Sequence, residues 1–208
     1  HGSPGNILDL YAASDIPETE GSELTKLKFA SSAANVTGKE LISCEAGTWL
    51  NEHFISTLSD IKKAADIFFL GGINHLFYHG TCYSPPDEPW PGFLFYAAVE
   101  LVPANPLWND FKALNKYVAR VQSFMQQGRS DNDILLYFPI FDRYADYGRG
   151  MLEHFDAISP AFNNTPFQTA TDMMLTKGFA WDYISDLQIM NTEVAEGMLQ
   201  TEGNVYKT

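Results

Sequence analysis

The chain has 208 residues, 45% hydrophobic and 14% aromatic, with a formal charge of −13. That apolar content excludes a disordered polypeptide, and 13 Lys and Arg without a run exclude a binder of phosphate backbones. No apolar run reaches the roughly 18–20 residues that cross a bilayer, and two cysteines, Cys44 and Cys82, define neither a disulfide framework nor a metal site. What remains is a globular protein with an acidic, aromatic-rich surface, which suits a neutral ligand such as a sugar.

The first candidate cluster lies in NILDLYAASDIPETEG, residues 6–21. An apolar stretch from Ile7 to Tyr11 leads into Asp15, Glu18 and Glu20 around the stiffening Pro17. Glycoside hydrolysis needs paired carboxylates across a cleft, one to protonate the leaving oxygen and one to activate water or attack the sugar carbon. The alternative for this cluster is a solvated acidic loop.

From Lys39 the pattern becomes regular. Residues 39–46 predict a strand in which Leu41, Ser43 and Glu45 share one face and Ile42 and Cys44 the other. A loop is predicted over 51–56, then a helix over 57–70, with Leu58, Ile61, Ala65 and Phe68 at helical spacing and Gly71 as its stop. A second strand is predicted over 73–81, with His75, Phe77 and His79 on one face. Strand, helix and strand make a βαβ unit, hence a parallel sheet. In barrels of such units the C-terminal strand ends carry the chemistry. Glu45 and His79 would stand there at equivalent heights on neighbouring strands.

A loop rich in proline and aromatic residues follows over 83–96, with Trp90 between two prolines. Asn105 and Pro106 then predict the start of a helix whose apolar stripe runs through Trp108, Phe111, Leu114, Tyr117 or Val118, Val121 and Phe124 or Met125 to a stop at Gly128. After the polar residues 130–133, the sequence predicts a buried strand over 134–140, a helix over 166–179 and a strand over 180–186. This second βαβ beginning places a domain boundary near residue 130, giving units 1–129 and 130–208. The closing run NVYKT is β-like with nothing evident to pair against, and the chain is read as a fragment of a larger protein.

Other chemistries lack their residues. There is no G-x-S-x-G, P-loop, G-x-G-x-x-G or H-E-x-x-H. Cys82 and His79 are close in sequence without an orienting third group, and the acidic spacings near 15–20 and 87–88 match no calcium loop.

The segments FASSAANVTGKELISCEAGTW, DIKKAADIFFLGGINHLFYHG and PWPGF together resemble glycoside hydrolase family 106, the α-L-rhamnosidase-like enzymes. The matching positions include Ser31, Ser32, Gly38, Lys39, Ser43, Glu45, Asp66, Gly72, Asn74, His79, Pro91 and Gly92, and the resemblance covers roughly residues 1–145. It implies an α/β fold: the C-terminal part of a (β/α)8 TIM barrel, followed by the start of a flavodoxin-like α/β domain. It also implies two glutamates acting with inversion, and calcium in some members. Glu45 falls on the glutamate implied to be the general base, with the acid implied upstream of His1. Glu18 falls on an acidic position implied to contact sugar or metal. CEAGTW stands where the family has AEAFT, and His75 where it often has arginine, so the pocket wall differs.

The expectation is a glycoside hydrolase, secreted or periplasmic, acting on a carbohydrate and possessing no certain cofactor. Glu45 would be its base or nucleophile, and Glu18, His75, His79 and Trp90 would contact the sugar. The rival is a carbohydrate-binding or scaffold protein on a degenerate barrel.

Overall fold

The computed structural model describes residues 5–50, 53–145 and 160–208. The predicted loop at 51–56 therefore falls partly outside the described residues. Asn6 caps the first helix, α1 (Ile7–Ala13), its side-chain oxygen accepting the Leu8 N–H. Next come β1 (Glu18–Glu20), α2 (Leu24–Thr37), β2 (Ser43–Ala46), α3 (Leu58–Leu70) and β3 (His75–Tyr78). The three strands form a parallel sheet in the order β1-β2-β3. Thr57 and Asp60 start α3 by capping each other's backbone N–H groups.

The sequence pattern located β2, α3 and β3 but set the strand starts too early. The Ile42 N–H goes to the Asn74 side chain, and the Ile42 carbonyl accepts from Asn74 and His75. A side chain thus takes the place of a ladder partner, and regular pairing begins only at Ser43. Residues 18–20 are a short strand, not the solvated loop that their polarity allows, because their backbone pairs with β2.

Helix α2 was not legible as an element. Its residues Leu27, Phe29, Ala30, Ser31, Ser32, Ala33, Ala34 and Val36 are all buried, so it has no polar stripe. Leu27, Ala30 and Ala34 join a core with Ile42, Cys44, Ala46, Phe68 and Ile73. Phe29 and Ala33 face a different core, built with Ile7, Leu8, Phe138, Phe162, Phe167 and Tyr183. The second core is aromatic: the Phe29 ring stacks on Tyr183 at 4.4 Å and meets Phe138 edge-on at 5.0 Å.

The helix predicted after Asn105 is α4 (Trp108–Met125). The Asn105 side chain accepts the Leu107 N–H, so it caps a turn preceding the helix proper. Its buried residues are Phe111, Leu114 and Val118; Phe124 is exposed, so the stripe is shorter than its spacing suggests.

Beyond residue 130 lie β4 (Ile134–Tyr137), α5 (Ile140–Tyr144), α6 (Pro166–Lys177), β5 (Trp181–Ile184), α7 (Asp186–Met190), β6 (Glu193–Ala195), β7 (Met198–Gln200) and β8 (Val205–Tyr206). β4 and β5 pair in parallel, whereas β6, β7 and β8 form an antiparallel sheet. The closing run is therefore paired, contrary to expectation: β8 lies against β7, and Tyr206 is fully buried. The Phe29–Tyr183 core takes residues from both sides of position 130.

Candidate active site

Alternation along β1, β2 and β3 sorts their side chains onto two faces. Cys44, Ala46, Leu76 and Tyr78 point into the helix-covered cores. The opposite face carries Glu18 and Glu20 from β1, Ser43 and Glu45 from β2, and His75 and Phe77 from β3. The register lines these up across the sheet, Glu18 with Ser43 and His75, and Glu20 with Glu45 and Phe77. Neighbouring strands lie about 4.8 Å apart, so three carboxylates share one small surface. Burial pushes the Cys44 thiol up, and Glu18, Glu45 and Glu20 push it further, a sign of the negative field they create.

Glu45 sits near the C-terminal end of the central strand, its side chain 26% exposed. It accepts a hydrogen bond from the Thr48 hydroxyl at 2.7 Å. His79, just past the end of β3, brings its Nδ1 to 3.8 Å from the same carboxylate oxygen. That nitrogen lies 3.0 Å from the Ala97 carbonyl oxygen, which can only accept, so Nδ1 carries a proton. In the neutral ring, Nε2 is then an acceptor. The Phe95 ring meets the imidazole edge-on at 5.0 Å.

The other predicted contacts are placed less closely. Glu18 is exposed and accepts from the Ser43 hydroxyl at 2.8 Å, which ties β1 to β2 on the carboxylate face. His75 lies level with Ser43 and packs edge-on against Phe77 at 4.5 Å. Trp90 is 68% exposed, tilts over Phe54 at 5.5 Å and donates its indole N–H to the Ala104 carbonyl at 3.4 Å. Its ring partner is thus outside the carboxylate row. Among the described residues, no group of three or more His, Cys, Asp or Glu is arranged to hold a metal ion. Glu18 accepts from the Ser43 hydroxyl and Glu45 from that of Thr48.

A cavity of about 670 Å³ opens at the other end of the sheet, lined in part by Lys28, Asn35, Lys39, Asn74 and Asn132. Its amides are already engaged: Asn35 and Asn132 donate to Asp182, and Asn74 bridges Ile42 and Glu40. It contains none of the carboxylate row, and size alone does not outweigh chemistry. The clustered carboxylates are on the Glu45 face.

The alpha-L-rhamnosidase profile of glycoside hydrolase family 106 matches residues 7–208. The chain belongs to glycoside hydrolase family 106. It is also 30% identical over 115 residues to a protein named "Putative beta-glucuronidase" from Formosa agariphila, a match covering 53% of this chain and 9% of that protein. Its fold is similar to that of the rhamnosidase from Novosphingobium sp. PP1Y, with a TM-score of 0.63 and 18% identity over 96% of this chain and 18% of that one. The chain therefore spans a small part of these longer family relatives. Its architecture is a mixed α/β one resembling part of a rhamnosidase.

Two groups, one on Glu45 and one on the segment that holds His79, carry no mark in the sequence. Thr48 is a polar residue in a loop, with no pattern to mark it. Glu100 is a fully buried carboxylate near His79's neighbours, and an acid in an apolar run carries no sign of its burial.

Proposed function

We propose that this chain is the part of a carbohydrate-cleaving glycoside hydrolase that supplies its base or nucleophile, Glu45. The observation carrying this reading is the half-buried Glu45 carboxylate, on the sheet face away from the helices and 3.8 Å from His79. Family membership and the glycosidase names of the relatives support the chemistry.

In the proposed reaction the sugar's anomeric carbon lies over the carboxylate row. With inversion, Glu45 takes a proton from a water that attacks this carbon; with retention, Glu45 itself attacks. A second carboxylic acid, proposed to lie upstream of His1, protonates the leaving oxygen. The transition state has oxocarbenium character, and the negative field of Glu18, Glu20 and Glu45 stabilises its positive charge. His79 offers Nε2 to a sugar hydroxyl, since Nδ1 is committed to Ala97. Glu18 and His75 line the same face, and Trp90 provides an apolar surface for the sugar or its neighbour.

The finer reading is an α-L-rhamnosidase, secreted or periplasmic, whose β1-β2-β3 sheet closes into a (β/α)8 barrel with strands from the rest of the protein. The parallel order and the helices on one face support that closure. Residues from 130 would begin a flavodoxin-like domain, and calcium would need ligands from outside this chain. A second reading, sugar binding without turnover, draws on the exposed rings of Tyr83, Trp90, Phe93 and Tyr96.

The test is hydrolysis of a panel of aryl glycosides by the full-length protein and its Glu45→Gln variant. Loss of about 10³-fold, in the range of acid–base groups, supports the assignment and names the sugar. Equal activity in both moves the chemistry elsewhere, and sugar binding with no turnover in either supports the second reading.

A further inference from the structure

Glu100 is a buried acid for which the proposed reaction has no role. Its side chain is 0% exposed, and its backbone is left-handed at φ 50°, a region that residues other than glycine rarely adopt. Such a conformation persists only where surrounding contacts hold it. Three contacts hold it here. The Phe95 N–H donates to Glu100 Oε1 at 2.9 Å, the Asn105 side chain donates to the Glu100 carbonyl at 3.0 Å, and His53 Nδ1 lies 3.8 Å from Oε1. Oε2 has no hydrogen-bond partner.

The segment that Glu100 grips is the one that holds His79. Phe95 packs its ring against the imidazole, and the Ala97 carbonyl takes the Nδ1 proton. A chain of contacts thus runs from a buried carboxylate, through residues 95–97, to the ring beside Glu45.

We propose that Glu100 is a positioning residue: by anchoring the Phe95 N–H it fixes residues 95–97 against His79, and so sets the tautomer and orientation of the imidazole facing Glu45. This rests on the reading of Glu45 and His79 as the reaction centre. Glu100 touches no substrate. What it supplies is an acceptor oxygen at one distance from the backbone, so reach matters and charge does not. Gln keeps that reach and an oxygen that can accept the Phe95 N–H. Asp keeps the charge but falls short by one methylene.

The experiment uses the full-length protein and its Glu100→Gln, Glu100→Asp and Glu100→Ala variants, beside Glu45→Gln. The probes are 4-nitrophenyl α-L-rhamnopyranoside and 4-nitrophenyl β-D-glucuronide, and the 15N NMR signals of His79 report its tautomer. Displacing a catalytic group by about 1 Å costs about 100-fold, so Asp and Ala should lower kcat by about 10- to 100-fold with KM little changed. Gln should stay within about threefold of the parent by the same argument. His79 should keep its protonated Nδ1 in Gln and lose that preference in Asp. A loss in Gln with Asp near the parental rate would assign the effect to charge and overturn the proposal; so would equal losses in the two, parental rates in both, or a rise in KM alone. If Glu45→Gln retains full activity, the reaction-centre reading fails by itself, and the tautomer signals still decide whether Glu100 holds the ring. An Ala variant that does not fold leaves the comparison of Gln with Asp intact.

Discussion

Two acids on parallel strands, Glu45 on β2 and Asp182 on β5, are held in opposite ways. Asp182 is fully buried and accepts from Asn35 at 3.0 Å, from Asn132 at 2.9 Å and from the Tyr206 hydroxyl at 2.9 Å. Glu45 is partly open and accepts only from Thr48 among the hydrogen bonds described. Burying a carboxylate is costly unless donors satisfy it, and three side chains satisfy Asp182. A carboxylate that reacts must keep lone pairs for its substrate. Satisfaction thus sets Asp182 apart as a structural acid, while Glu45 keeps the open lone pairs that its proposed role requires.

The sharpest way to break this contrast is to neutralise Glu45. Glu45→Gln should cost about 10³-fold in kcat, a loss typical of an acid–base group, yet shift stability by less than about 1 kcal/mol, because Gln keeps the shape and an acceptor for the Thr48 hydroxyl. Parallel kinetics and urea unfolding check both halves, and a large stability loss would make Glu45 structural. Asp182→Ala should do the reverse. It strands the donors of Asn35, Asn132 and Tyr206, at a cost of about 3 kcal/mol if each lost partner contributes about 1 kcal/mol. Urea unfolding of the variant reads this directly, and an unchanged midpoint would disprove it.

A smaller effect belongs to Thr48. Hydrogen bonds to charged groups contribute about 1.5–3 kcal/mol, so Thr48→Ala should lower kcat/KM by about tenfold through disorder of Glu45. Comparable in size is the response to alkali. Burial holds the Cys44, Tyr183 and Tyr206 protons on well above their ordinary ranges, and Asp182 assists at Tyr206. Once the pH passes the ordinary thiol and phenol values, the unfolded chain releases protons that the folded chain keeps, so stability falls as pH rises. Cys44 alone should account for roughly 1.5–2 kcal/mol by pH 10, given an unfolded value near 8.5–9. Chemical unfolding at pH 8 and pH 10 tests the sign, and greater stability at pH 10 would contradict it.

How much of this was legible depends on what each feature leaves in the sequence. The unit β2–α3–β3 could be read because α3 has a solvent face, so its Ile61, Ala65 and Phe68 recur against polar neighbours. The facing of Glu45 and His79 followed from alternation alone, once two strands were in hand. Helix α2 could not be read in this way, since packing on two sides removes the polar stripe on which periodicity depends. β1 was hidden because Glu-Thr-Glu has poor strand propensity, and its pairing comes from β2. Asp182 and Glu100 were invisible as buried groups: their donors are up to 147 residues away, and no local pattern announces them.

Helix α2 has a consequence for how the molecule comes apart. Its amides are shielded by a core on each flank, one with Ile42 and Phe68 and one with Phe138 and Tyr183. Neither sheet can leave without baring half of the helix, and a half-bared apolar helix gains little from keeping its remaining contacts. Local opening is thereby tied to complete opening. The slowest-exchanging backbone protons should lie in α2, with exchange rates set by the global free energy of unfolding rather than by fraying.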